Sequence, residues 1–83
     1  MPAVRIYTRP MCIWCLRAKW LLRWRGVAYE EIDASDAATR AWLLEATGAR
    51  TVPQVYCDDE RIGGFEALRD FVRHGDLAAR LAG

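Results

Sequence analysis

Cysteine is scarce in this chain of 83 residues, with three in all, at positions 12, 15 and 57. A small secreted domain stapled by disulfides would show an even set of about four to eight at wide spacings, so a disulfide scaffold is excluded. Apolar runs are short, and none approaches the ~20 residues that span a bilayer. The N-terminal residues from Met1 to Tyr7 include Arg5 but no apolar h-region, so no signal peptide is expected. An excess of one charge is missing too. Twelve Lys and Arg against eleven Asp and Glu leave a net charge of +1, which calls for neither a nucleic acid nor a membrane surface as partner. Repeats, linkers and low-complexity stretches are absent.

What is present is a chain in which 53% of residues are apolar, enough for one self-folding domain over residues 1–83. One close cysteine pair and one lone cysteine read as functional thiols in a reducing compartment. A cytoplasmic monomer is the expectation.

Ala3 to Tyr7 alternates with β-branched residues and reads as a strand. Pro10 biases Arg9 away from helix, so Thr8 to Met11 is a loop. Strong helix formers run from Ile13 to Arg25 and stop at Gly26. Val27 to Ile32 reads as a second strand. Asp33, Ser35 and Asp36 supply turn and capping chemistry before a helix from Ala37 to Thr47, ended by Gly48. Val55 to Cys57 and Arg61-Ile62 flank an acidic turn and suggest a hairpin, and Gly63-Gly64 then breaks the chain. Helices follow over Glu66 to His74 and over 76–82. The order is β-α-β-α-β-β-α, an α/β domain with a parallel βαβ unit followed by an antiparallel hairpin.

Cys12-Ile13-Trp14-Cys15 places a C-x-x-C between a strand and a helix. A sulfur at a helix start faces unpaired N–H groups and the positive end of the dipole, which favours its thiolate. Arg9 adds a positive charge upstream. Cys15 lies one turn further in, close to Cys12 but more covered, which suits a resolving thiol. The competing readings are half a zinc site or two inert core cysteines. A structural zinc needs two more ligands, and only Cys57 and His74 remain without forming a second close pair, so no metal site is expected.

Thr51-Val52-Pro53 puts a proline directly before a strand. Such a proline simply starts a strand, or it carries a cis bond that presents the Val52 peptide to an extended ligand. Gly63-Gly64-Phe65-Glu66 allows close backbone approach, free N–H groups for a carboxylate, and a Glu66 carboxylate for an ammonium; otherwise it is a turn with a first-turn acid.

These motifs, in this order and spacing, resemble the glutaredoxin family across nearly the whole chain. The resemblance implies a thioredoxin-like fold with a four-stranded mixed sheet flanked by helices. It implies glutathione as reductant, glutathionylated proteins and protein disulfides as substrates, Cys12 as nucleophile and Cys15 as resolving thiol. It assigns a glutathione groove to Arg9, Trp14, Arg40, Thr51, Val52, Pro53, Gly64, Phe65 and Glu66. Arg9 and Arg40 would meet the glycine carboxylate, and Phe65 and Glu66 the γ-glutamyl end. Arg40 also fits a solvated helix arginine, and Arg50 is a further candidate of the same kind.

Departures from the family pattern bear on function. Ile13-Trp14 stands where Pro-Tyr is common, with Trp14 replacing the aromatic wall. Members without that proline include dimers holding a [2Fe–2S] cluster with glutathione as co-ligand, so Ile13 keeps this alternative open. Glu66-Ala67 offers one carboxylate where two are common. A second alternative is a thioredoxin-reductase-dependent electron donor to ribonucleotide reductase, but its Trp-Ser-Gly-Phe signature is replaced by Ile62-Gly63-Gly64-Phe65.

At 100° per residue, Trp14, Ala18, Leu21 and Leu22 share a helix face expected to be core, while Ile13, Trp20 and Trp24 line another, interrupted by Arg17. Trp20 and Trp24 either pack beneath the C-terminal helix or form an exposed patch for a protein partner or a weak dimer. Cys57 reads as a small buried apolar residue, with regulatory glutathionylation as the other reading.

Overall fold

Alternation along the first strand decides which helix lies on which face of the sheet. The computed structural model describes residues 3–49 and 51–75. In β1 (Val4–Thr8), Val4 and Ile6 point to one side and Tyr7 to the other, as the period of two requires. Val4 and Ile6 join Val55, Cys57, Ala18, Leu22, Leu68 and Val72 in the larger core, which covers one face with α1 (Ile13–Trp24) and α3 (Phe65–Arg73). Tyr7 joins Tyr56, Ala34 and Leu43 in a smaller core beneath α2 (Ala37–Thr47) on the opposite face.

The remaining strands are β2 (Tyr29–Asp33), β3 (Gln54–Cys57) and β4 (Glu60–Gly63), and the sheet order is β2-β1-β3-β4. β1 runs parallel to β2 and antiparallel to β3, and β3 is antiparallel to β4. This is the mixed four-stranded sheet of a thioredoxin-like fold, and its elements follow one another along the chain in the expected order β-α-β-α-β-β-α. All four residues of β3 are buried, because helices cover both faces there.

Most boundaries shift by one or two residues from expectation, and three of the shifts have plain local reasons. Val27 donates its N–H to the Leu22 carbonyl and Gly26 to that of Arg23, with Gly26 at φ 70°. This Schellman closure of α1 takes Val27 out of the strand, so β2 begins at Tyr29. β1 extends to Thr8, whose hydroxyl bonds Glu31 on the neighbouring strand. α3 starts one residue early, at Phe65, with Gly64 as its N-cap.

The larger correction concerns Trp14. The stripe of α1 that faces the sheet runs through Cys15, Ala18 and Leu22, with Leu21 packed at its edge, and Trp14 is 47% exposed. Because Cys12 caps the helix, Cys15 takes the core-facing place in its first turn. The expected helix over 76–82, and Arg50, lie outside the described residues.

Candidate active site

Cys12 occupies the N-cap of α1, with φ −104° and ψ 111°, and its sulfur accepts the N–H of Cys15 at 3.2 Å. A sulfur thus stands where Ser, Thr or Asp usually supplies the capping oxygen. Met11, just before it, has φ 59°, a left-handed conformation costing about 1–2 kcal/mol that turns the chain from β1 into the helix. From the other side, the Cys12 sulfur lies 3.8 Å from the Val52 carbonyl, to which it donates only while it carries its proton. Cys12 is half-buried, so its sulfur can be reached from solvent.

Cys15 is 2% exposed. Burial, followed by its hydrogen bond to Cys12, pushes its thiol up to about 12 from an ordinary 9.0. The negative charge of Cys12 acts in the same direction, while a main-chain hydrogen bond from Arg9 and the charge of Lys19 oppose it. At neutral pH Cys15 therefore keeps its proton and points it at Cys12. The two sulfurs are set apart by their surroundings, one half-buried and capping α1, the other sealed in the core.

Three hollows surround the pair. A groove of about 180 Å³ is walled by Trp14, Thr51, Val52, Pro53, Gly64, Phe65 and Glu66, which brings together seven of the nine residues assigned to the groove. The Val52-Pro53 bond is cis. The Trp14 and Phe65 rings are 5.6 Å apart, and the Arg17 guanidinium lies 4.8 Å from the Trp14 centroid, so the aromatic wall is held by its neighbours. Glu66 is exposed in the first turn of α3. The other two residues, Arg9 and Arg40, line an adjoining cleft of about 390 Å³ that shares Thr51 and Val52 with the groove. The third hollow, about 710 Å³, is the one that Cys12 and Cys15 themselves line.

Some site residues carried no signal in the sequence. Gln54 is 2% exposed; its amide donates to the Thr51 carbonyl at 3.0 Å and its carbonyl accepts from Arg61 at 3.1 Å, which fixes the loop bearing Val52. Thr8, Lys19 and Glu31 form a second network beside the sulfurs. Glu31 accepts from Thr8 at 2.7 Å and from Lys19 at 3.0 Å, and these bonds hold its carboxyl below the usual range. The pairing of Lys19 with Glu31, twelve residues on, could have been sought once the parallel βαβ unit was assigned. Cys57 is 1% exposed within the larger core, as its small-apolar reading expects. No helix among the described residues is long and apolar enough to cross a membrane.

Comparison with known proteins adds an independent line. A model of the glutaredoxin family matches residues 4–62. The chain is 44% identical over 81 residues to a probable glutaredoxin of Synechocystis, covering 95% of this chain and 74% of that protein. It is 40% identical over 83 residues to a glutaredoxin of Pseudomonas aeruginosa, covering 99% of each. A crystal structure of a buckwheat glutaredoxin–glutathione complex superposes with a TM-score of 0.87 at 30% identity, covering 98% of this chain and 77% of that one. With two thiols of opposed character at a helix start, this sheet order and these relatives, the chain belongs to the glutaredoxin family of thiol–disulfide oxidoreductases.

Proposed function

We propose that this protein is a glutathione-dependent reductase of glutathione mixed disulfides and protein disulfides. The observation that carries the reading is the contrast between a half-buried Cys12 sulfur receiving an N–H and a buried Cys15 that retains its proton. Exchange needs a sulfur anion with access to the disulfide, and N–H donation to sulfur is a contact an anion uses.

The Cys12 thiolate attacks the glutathione sulfur of R–S–SG. A Cys12–SG bond forms, the R–S bond breaks, and the departing thiolate takes a proton from solvent. A glutathione thiolate then attacks the glutathione sulfur of Cys12–SG, returning Cys12 and releasing glutathione disulfide. The sum is R–S–SG plus GSH giving R–SH plus GSSG. With a protein disulfide, Cys15 loses its proton and attacks Cys12 of the mixed disulfide, forming the Cys12–Cys15 bond and freeing the second substrate thiol. Once Cys12 is in a disulfide, its charge no longer opposes ionisation of Cys15, so resolution follows capture.

In this reading the groove walled by Trp14, Phe65 and Glu66 takes the γ-glutamyl end, and the Val52 peptide pairs with the glutathione backbone. Arg9 and Arg40 in the adjoining cleft meet the glycine carboxylate. The buckwheat relative crystallised with glutathione supports this choice of ligand. A pair of functional thiols with no structural disulfide suits the cytoplasm.

The test is glutathione-coupled reduction of a small mixed disulfide by three proteins. Wild type and Cys15→Ser should turn over, and Cys12→Ser should not. Activity retained by Cys12→Ser would overturn the assignment.

A further inference from the structure

α1 has two apolar stripes on opposite sides. One, through Cys15, Ala18 and Leu22, is spent on the core. The other runs through Ile13, Leu16, Trp20 and Trp24, which are 56, 46, 64 and 75% exposed. At 100° per residue these four fall within about 80° of arc, roughly opposite the core stripe. Beside them lies a groove of about 380 Å³ whose walls are Leu16, Arg17, Trp20, Leu21, Trp24 and Phe65. Tryptophan is costly to leave wet and is the residue most often found at energetic centres of interfaces, together with arginine.

The charge carried by α1 itself has one sign. The chain contains no Asp or Glu before Glu30, yet it carries Arg5, Arg9, Arg17, Lys19, Arg23 and Arg25. Lys19 is paired with Glu31, on which the charge of Arg23 also acts while Arg23 donates to the Tyr29 hydroxyl at 3.0 Å; among the described residues Arg17 and Arg25 form no ion pair. Arg17 and Arg25 instead lie over indoles, at 4.8 Å from Trp14 and 4.9 Å from Trp24. Their charge is free to meet an anionic partner.

The face is continuous with the reactive centre. Leu16 belongs both to this groove and to the hollow lined by Cys12 and Cys15, and Phe65 belongs both to it and to the groove walled by Trp14. Trp20 lies eight residues beyond Cys12, about 12 Å along the helix. About four residues of extended chain cover that distance.

We infer that the outer face of α1 docks the polypeptide substrate. It receives an acidic segment carrying a large apolar side chain about four residues from the substrate's reactive cysteine. The apolar side chain enters the groove between Trp20, Trp24 and Phe65, and the flanking carboxylates face Arg17, Arg23 and Arg25. The shallow groove shares Leu16 with the hollow at the sulfurs and offers the side chain of a tethered substrate an apolar place to rest. The inference rests on the proposed reductase activity for its biological meaning, but docking can be measured without turnover.

The probes are two synthetic peptides with serine in place of the reactive cysteine. Each carries leucine four positions away, flanked by Asp and Glu in one and by Lys in the other. Calorimetry on wild type should show the acidic peptide binding at least about tenfold more tightly, an advantage that shrinks toward about 0.5 M salt. Trp20→Ser/Trp24→Ser should abolish the advantage. With glutathionylated versions of the peptides, the same variant should raise KM for the acidic one by about tenfold. Its turnover of cysteine–glutathione mixed disulfide should stay within about twofold of wild type, which also reports that it is folded. Equal binding of both peptides, or an unchanged preference in the variant, overturns the inference. So does loss in the variant of binding to phosphatidylglycerol vesicles, or of dimerisation, without any peptide preference. Failure of wild type to turn over the small disulfide would refute the reductase reading instead, leaving the calorimetry to decide docking.

Discussion

The backbone N–H of Cys15 points at the sulfur of Cys12 from 3.2 Å, so the residue proposed to resolve the disulfide also helps to hold the one proposed to start it. This contact survives any change of the Cys15 side chain, because it is made by the main chain. It accounts for the different behaviour proposed for the two serine variants. Cys15→Ser keeps the cap on Cys12, whereas Cys12→Ser removes the nucleophile itself.

Selective alkylation follows from the exposure of Cys12 and from the burial and retained proton of Cys15. Iodoacetamide at neutral pH should label Cys12 in the folded protein and leave Cys15, at 2% exposed and pushed up to about 12, unmodified. Peptide mapping by mass spectrometry reads the site directly. Labelling of Cys15 at a rate comparable to Cys12 would contradict the assigned roles.

Stability should fall in alkali because of Cys15. The folded chain keeps this proton until about 12, while the unfolded chain releases it near the ordinary 9.0. Between those values the folded state binds more protons than the unfolded state, so the stability present below pH 9 is lost as pH rises. Urea midpoints of wild type and Cys15→Ala, compared from pH 8 upward, isolate the effect from other titrating groups. The wild-type midpoint should decline relative to the variant above about pH 9; a constant difference would show that the raised thiol is not there.

Gln54→Leu should loosen the loop that carries Val52. The substitution removes the donor to the Thr51 carbonyl and the acceptor for Arg61 while keeping the site filled. The expected cost is about 1–2 kcal/mol of stability, seen as a fall of roughly 5–10 °C in Tm. KM for a glutathione mixed disulfide should rise several-fold with a smaller change in kcat, because the loop positions the substrate and does not react. Steady-state kinetics with an unchanged KM would remove Gln54 from the positioning role.

Much of the fold is legible along the chain where one residue type settles a boundary. Asp36 caps α2 through the Thr39 N–H at 2.9 Å and Gly48 ends it at φ 71°, so Ala37–Thr47 was readable from those two residues. The start of β2 was not, because Val27 looks like a strand residue and its use in closing α1 depends on a hydrogen bond to Leu22. Trp14 could be placed on either side of α1 by periodicity. Only the docking of Cys15 against the sheet settles which side is inward. The thiol pair and the two loops around it were visible as motifs. Gln54 was not, since a lone polar residue in a short strand has no pattern until its partners across the turn are known. The aromatic cluster of Tyr7, Trp42 and Tyr56, with centroids 5.3 to 6.2 Å apart, is invisible for the same reason: its members are contributed by three separate elements.

The two segments that bracket the reactive sulfur hang from the inner pair of strands. Cys12 follows β1, Val52 precedes β3, and each of these strands is bonded along both edges while β2 and β4 are bonded along one. Fraying of a sheet begins at its margins. On warming, the outer ribbons can therefore detach before the distance between nucleophile and clamp changes. Because Gly64, Phe65 and Glu66 follow the marginal strand β4, heat should loosen the groove before it separates Cys12 from Val52.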